Sequence, residues 1–536
     1  MFILTKNKDA LAVLKAYKQE FKNSTFDFGD IFTFRLNNYF LFWFSARPQD
    51  QLFVYQNGFI IGKKDFETDY SEIPVEIQGK LPENTSSLLQ STKIEVFKDQ
   101  VNIIPNEITP IYYDEDNVSD FTLLLAKLLK RLPDDKLIQI FSGIGYMPGN
   151  LTIFKNILKI PYLRGLKLNS GELFVTDKFI YKKGDDDKMV SRLIDIVPKT
   201  SKQQLAMSGG LDSRFVLGVL LKAKIRPKLV TLLDKESTIV EEVSHSLNLL
   251  LEKKNGEKEG AYHYTLMTDA RIYYKGGNYS KMFENVKHNH FLHTGLSILP
   301  MNENSFATAW KKPGSIKNIY NDLIRYALLP RVPSEGFSVF EKNLTKQEMQ
   351  NYLEAELVFG KEYLDFKTRK QWALWFYHLN RGLTWTIAHL QDASFYIYPI
   401  FLLGDKKAAE YGIASSAYSN FNKERLRKIN QKLFPDLPID YSDYRTFESK
   451  PFLLNHWSRI YNEFFKKMVN RFVQLNSDKK TDAKTDYFKG LSLEQSKNFR
   501  KYYKKDLRVL LKDKTHALRV RRTAVTINNA LLFLEK

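Results

Sequence analysis

Apolar positions in the first third of the chain recur at every second residue. Phe32, Phe34 and Leu36 alternate with polar neighbours, Tyr39 to Phe44 is dense in aromatics, and Leu52-Phe53-Val54-Tyr55 runs into Asn57-Gly58. A period of two marks strands with one buried face, and Asn-Gly between apolar runs predicts a hairpin. Lys93 to Ile111 continues the pattern and ends in Pro110-Ile111-Tyr112-Tyr113, after which Phe121 to Leu132 shifts to helical spacing. These elements predict a layered β-sheet domain that closes near residue 195. Beyond it the order changes. Gln204-Leu205-Ala206-Met207 is short and mostly apolar, like the end of a buried strand, and Phe215, Val216, Val219 and Leu220 then recur at helical spacing. Lys228 to Leu233 reads as a second strand parallel to the first, with Asp234-Lys235-Glu236-Ser237 as the loop after it. Strand, turn, helix and strand in this order predict an α/β region built on a parallel sheet.

Length and composition sharpen this picture. A chain of 536 residues exceeds one ordinary core, so two domains are expected, and 43% hydrophobic with 14% aromatic residues supply the apolar surface to fill them. No apolar run is long enough to span a bilayer: Asn38 to Ala46 and Phe395 to Leu403 are too short, and lysines with Asp9 interrupt the apolar start Met1-Phe2-Ile3-Leu4. The cytoplasm is the expected location. The absence of cysteine excludes disulfides, thiolate metal sites and cysteine nucleophiles together. The formal charge of +20 is densest near the C-terminus, where Arg500, Lys501, Lys504, Lys505, Arg508, Lys512, Lys514, Arg519, Arg521 and Arg522 surround Leu507, Leu510, Leu511 and Leu518. That spacing predicts an amphipathic helix with a basic outer face, which either solvates the protein or binds an acidic peptide, nucleic acid or anionic lipid.

The chemistry concentrates in Ser208-Gly209-Gly210-Leu211-Asp212-Ser213, a turn between the expected strand and helix. Adjacent glycines let backbone N–H groups approach phosphate oxygens, and the following helix offers the positive end of its dipole. Ser208 and Ser213 carry hydroxyl donors for the same anion. Asp212 faces a phosphate usefully only through a cation, for which magnesium is the natural bridge. The same six residues also suit a plain strand-to-helix joint with Asp212 as N-cap. The spacing differs from the Walker loop, which disfavours transfer of a terminal phosphate. Met207, Val230 and Thr231, at strand ends, are expected walls for adenine. Asp185-Asp186-Asp187 reads as a charged loop, and His263, His288, His290 and His293 as packing or substrate contacts, with His290 and His293 spaced to share one helix face.

At these residues the chain resembles the asparagine synthetase family, whose ATP-pyrophosphatase domain carries an SGG-x-DS loop. Gly145-Tyr146-Met147-Pro148-Gly149-Asn150-Leu151-Thr152-Ile153-Phe154-Lys155-Asn156-Ile157 is similar to the "GY-x-PG…T-x-F-x-x-I" segment that ends the family's glutaminase-like domain, and Pro110 to Tyr113 to its "P-L-Y-Y" strand. The resemblance implies a class II glutamine amidotransferase-like domain over 1–195 and an ATP-pyrophosphatase domain with a basic helical C-terminus over 196–536. It implies ATP and Mg2+ as cofactors, held by Met207, Ser208, Gly209, Gly210, Asp212, Ser213, Val230 and Thr231, with Asp212 as the metal ligand. The family's glutaminase cysteine is missing because position 2 is Phe2, so no glutamine hydrolysis is expected. The family's second acidic motif, "SG-x-G-x-DE", is expected over 304–314, where no Gly-Asp pair occurs. Tyr398-Pro399-Ile400-Phe401 with Asp405, and Lys423 to Leu433 with Phe434-Pro435, resemble later family segments. Arg445, then Lys450, take the place of the tail lysine that stabilises developing charge. The implied activity is an ATP-dependent amide-forming ligase that adenylates a small-molecule or peptide carboxylate and joins it to an amine or ammonia, as in β-lactam synthetases and lasso-peptide cyclases. A degenerate ATP-binding or scaffold protein, and an RNA-modifying ATP-pyrophosphatase, are the alternatives.

Overall fold

Strand β1 (Phe2–Thr5) shows how the alternating pattern becomes architecture. Its even residues, Phe2 and Leu4, enter one apolar cluster and its odd residue Ile3 enters another, so both faces of the strand are buried. The structure, a computed structural model, describes residues 1–22, 24, 26, 28–46, 50–55, 58–63, 75–77, 92–97, 100–105, 109–180, 182, 184–199, 202–208, 210–233, 237–254, 260–272, 283, 290–295, 345–356, 382, 384–412, 424–435 and 518–536.

The other strands of the first region are β2 (Phe32–Leu36), β3 (Tyr39–Trp43), β4 (Asp50–Tyr55), β5 (Gly58–Lys63), β6 (Val75–Ile77), β7 (Thr92–Phe97), β8 (Gln100–Ile104), β9 (Tyr112–Tyr113), β10 (Val118–Ser119), β11 (Leu158–Lys159), β12 (Arg164–Lys167) and β13 (Glu172–Val175). They form a six-stranded sheet in the order β11-β9-β10-β1-β3-β2 and a seven-stranded sheet in the order β13-β12-β8-β7-β5-β4-β6. Every pairing is antiparallel except β4 with β6. Tyr55 stands opposite Gly58, so β4 and β5 form the hairpin expected at Asn57-Gly58. The two sheets enclose Phe2, Leu4, Leu41, Trp43, Leu52, Ile94, Ile103 and Leu166.

Five further strands, β14 (Gln203–Ala206), β15 (Lys228–Leu232), β16 (Leu251–Lys254), β17 (Phe291–Thr294) and β18 (Tyr398–Ile400), make a parallel sheet in the order β16-β15-β14-β17-β18. The chain is therefore mixed α/β, with two antiparallel sheets, one parallel sheet and helices. Pro399 sits in the edge strand, where a residue without an N–H is tolerated.

The helices are α1 (Ala10–Glu20), α2 (Thr122–Leu128), α3 (Asp135–Ile144), α4 (Asp186–Asp195), α5 (Leu211–Lys222), α6 (Ser237–Ser246), α7 (Ala261–Met267), α8 (Lys346–Glu356), α9 (Ile387–Ala393), α10 (Lys406–Gly412), α11 (Glu424–Leu433) and α12 (Leu518–Glu535). The helix expected to reach residue 132 ends at Leu128, because Lys130 turns left-handed at φ 53°. Asp134 then caps α3 by accepting from the N–H groups of Lys136 and Leu137, and Gly145, at φ 90°, closes it. The charged-loop reading of residues 185–187 is corrected. Asp185 caps α4, and Asp186 and Asp187 form its first turn, where the helix dipole favours acids. Asp186 pairs with Arg425 on α11.

Arg500 to Lys514, which carry most of the expected basic face, lie outside the described residues, and Arg521 and Arg522 are half-buried. Val520 and nearly every residue from Thr523 to Phe533 are buried, and α12 packs on α2, α3 and α7. One apolar cluster runs from Ile3 and Phe42 through α1, α2, α3 and α12 to Leu205, Leu229 and Phe291 of the parallel sheet. Within it, the N-terminus of α2 has no cap from its own flank; Asp269, just beyond α7, accepts from the Thr122 N–H at 2.7 Å, the Thr122 hydroxyl at 2.8 Å and the Leu123 N–H at 2.9 Å. A residue 147 positions away in sequence thus satisfies two buried backbone donors. Replacing it strands them, so Asp269→Ala is expected to destabilise the chain by about 1–3 kcal/mol, measured by urea unfolding of the full-length protein.

Candidate functional site

The parallel sheet dictates where a ligand can enter. From β14 the chain moves outward through β15 to β16, then returns to the other side of β14 with β17 and β18. The order reverses between β14 and β17, and the loops leaving the carboxyl ends of those two strands must separate there, opening a crevice. The Ser208 to Ser213 turn leaves β14 at this point, and Gly295 leaves β17 directly beside it, Ala206 being paired with Thr294.

Helix α5 begins on Gly210, which is extended at φ −72°, ψ 162° and gives no side-chain cap. The N-cap is thus Gly210 and not Asp212, which lies half-buried in the first turn. Ser208 is exposed at the mouth of the turn. Ser213 is buried, and its hydroxyl donates to the Gly210 carbonyl at 3.0 Å while the Ser208 N–H approaches it at 3.4 Å. Its hydroxyl therefore braces the turn from within. Asn430 on α11 donates to the Leu211 carbonyl at 3.1 Å and fixes the helix start from the other side.

Gly295 is a residue that sequence reasoning missed. A Cβ there would lie 2.5 Å from the Ser213 nitrogen and 2.9 Å from the Asp212 carbonyl carbon, so only glycine lets the two backbones touch. The detectable signal was Thr294-Gly295 directly after an apolar strand. This pair adjoins the turn; residues 304–314 lie outside the described residues, as do Gly209, His288, Arg445 and Lys450.

Of the expected adenine walls, Met207, Val230 and Thr231 are all buried, and the Met207 N–H donates to the Val230 carbonyl at 2.9 Å. They bind β14 to β15. The apolar side chain presented to solvent at that edge is Leu233, 53% exposed just past β15. Asp405 is engaged elsewhere, bonded to the Arg192 guanidinium at 2.9 and 3.2 Å and to the Ala408 N–H of α10 at 2.7 Å.

The histidines do not converge. His263 stacks on Phe21 with ring centroids 5.1 Å apart, and His290 meets the Gln204 amide at 3.3 Å. His293 lies on strand β17 and not on the helix its spacing suggested. It is fully buried, with Nε2 2.6 Å from Gln203 Oε1, and desolvation holds its pKa down at about 3. Among the described residues, no group of three or more His, Asp or Glu side chains is placed to hold a metal ion.

The Gly145 to Ile157 segment does not reach the turn. It lies in the shared core, where Tyr146 bridges to Ile272 and Thr152 donates to the Ile157 carbonyl at 2.7 Å. No family model matches the chain, and no curated protein matches it in sequence.

Two measurements check this geometry. Gly295→Ala is expected to force the turn away from β17 and to destabilise the chain by about 1–3 kcal/mol, read by urea unfolding. The second concerns acid. His293 is neutral in the folded chain down to about pH 3, whereas the unfolded chain takes up its proton below about pH 6.5. The unfolded state binds more protons across that window, so stability falls as pH drops through it. Relative to His293→Gln, the wild type is expected to lose stability more steeply between pH 6.5 and 3 in urea titrations.

Proposed function

We propose that the protein is an ATP-dependent amide-forming ligase. The observation that carries this reading is the bare backbone of the 208–213 turn at the reversal point of the sheet, at the N-terminus of a twelve-residue helix whose first N–H groups have no side-chain cap. Such a turn suits the pyrophosphate portion of a nucleotide.

The donor set fits magnesium-ATP in a specific way. Ser208 is exposed and Gly210 is partly so, which places the Ser208 hydroxyl and the Gly210 amide to meet phosphate oxygens. Asp212, in the first turn, is the carboxylate to hold a divalent ion, which characteristically takes one or two protein carboxylates and completes its shell with phosphate and water. When bound, the ion supplies charge neutralisation to the triphosphate. Leu233 offers an apolar surface to the base, at the strand edge where Met207, Val230 and Thr231 are the expected walls. In this reading a carboxylate oxygen of the substrate attacks the α-phosphorus and pyrophosphate leaves. An amine nitrogen then attacks the acyl carbon, loses a proton and expels AMP. Arg445 and Lys450 are the proposed cations for the developing charge.

The first region supports a ligase that works without glutamine. Its two facing antiparallel sheets with helices over one of them suit a glutaminase-like layering over 1–195, followed by a pyrophosphatase-like parallel sheet over 196–536. Phe2 stands where that architecture needs its nucleophile, and its side chain is buried between the sheets. The nitrogen is therefore ammonia or an amine on the substrate, which includes closure within one molecule.

The test is release of pyrophosphate from magnesium-ATP across a panel of carboxylate and amino-acid substrates. Asp212→Ala is expected to lower it about 100-fold or more, and Ser208→Ala about 10-fold. Equal rates in wild type and Asp212→Ala overturn the reading.

A further inference from the structure

Far from the turn, the layer shared by the antiparallel and parallel sheets contains a polar pocket with an unbalanced charge. A cavity of about 20 Å³ is lined by Tyr112, Thr122, Lys159, Asp269, Arg271 and Thr384 among apolar neighbours. Arg271 is 6% exposed, and its Nη1 and Nη2 have no hydrogen-bond partner; only its Nε donates, to the Thr268 carbonyl at 3.4 Å. Lys159 is 9% exposed and donates to Thr384 Oγ1 at 3.2 Å. Tyr112 is buried with a hydroxyl that has no partner.

The one carboxylate among the described lining residues, Asp269, interacts electrostatically with Arg271 but makes no hydrogen bond to its Nη atoms. Both oxygens of Asp269 are taken by the start of α2, and Arg271 Nη1 and Nη2 bond to neither of them. Among the described lining residues, two buried basic groups face one buried carboxylate whose oxygens already accept three hydrogen bonds from the start of α2. Burying a guanidinium with bare N–H groups costs free energy unless an acceptor is supplied, and a net buried charge costs more. A single monovalent anion repairs both defects: it accepts from the Arg271 fork, the Tyr112 hydroxyl and the Lys159 ammonium, and it brings the pocket to neutrality. The room matches one body about the size of a water molecule, which admits a halide and excludes polyatomic oxyanions.

We propose that this pocket is a structural binding site for one halide ion, held by Arg271, Lys159 and Tyr112 at the junction of the sheets. Burial and the nearby Arg271 charge push the Lys159 pKa down to about 7, and burial pushes that of Asp269 up to about 7, so a bound halide is expected to draw a proton onto Lys159. The site is independent of the nucleotide turn and of any ligase activity.

The test is crystallisation of the full-length wild type from bromide in place of chloride. An anomalous difference peak within hydrogen-bond reach of Arg271 Nη and Lys159 Nζ is expected. In solution, chloride or bromide is expected to raise the melting temperature over gluconate at equal ionic strength by roughly 2 °C or more, with Arg271→Gln losing that increment. A water without anomalous signal at this position overturns the proposal, and so does equal melting of the wild type in halide and gluconate. The crystallographic arm uses unaltered protein, so it decides the matter even where Arg271→Gln fails to fold.

Discussion

Burying both faces of the six-stranded sheet is the constraint on which the rest of the molecule depends. Phe2, Leu4, Leu41 and Trp43 seal one face against the second sheet, while Ile3, Phe42 and Phe44 need cover on the other. That cover is a helical layer that also packs the parallel sheet, so the two regions share one continuous apolar core. Helix α12 closes this layer from the far end of the chain, which accounts for its burial on nearly all sides. An amphipathic surface helix would leave the layer open.

The candidate site inherits its rigidity from that layer through backbone contacts. Strand β14 is clamped between β15 and β17, Asn430 holds the start of α5, and Gly295 brings a second backbone against Asp212 and Ser213. Ser213 spends its hydroxyl on the turn itself. Ser208 is exposed at the mouth of the turn and Asp212 is half-buried in its first helical turn. Preformed amides of this kind need no side-chain ordering on binding, which makes such a turn an efficient phosphate grip.

Among the buried polar groups of the shared layer, three charged ones lie together. Asp269 satisfies the first amides of α2, Arg271 follows two residues later, and Lys159 reaches toward Thr384 from β11. Asp269 and Ala270 both adopt left-handed backbone, at φ 56° and 50°, a conformation rare in residues with a Cβ. The chain is held there by the cap that Asp269 makes and by the bridge from Tyr146 to Ile272. A halide between Arg271 and Lys159 would stabilise the same junction electrostatically, joining the antiparallel and parallel parts by charge as well as by packing.

Much of the fold was legible in the chain because local physics dictates it. Period-two alternation marked β2 to β5 and the hairpin, and the run from Gln204 to Leu220 announced a strand, a glycine turn and a helix. Ser208, Gly210 and Asp212 were legible as a strand-to-helix turn for the same reason, since such a joint is a short-range pattern. Other features were decided only by contacts between distant segments. That Gly210 caps α5, that Ser213 turns inward, that Gly295 abuts the turn, and that Val230 and Thr231 are core residues all follow from how strands pair, and pairing carries no local signature. Lys159, Asp269 and Arg271 are unremarkable in sequence; they become a polar pocket only because two separate segments bury their charges in one place.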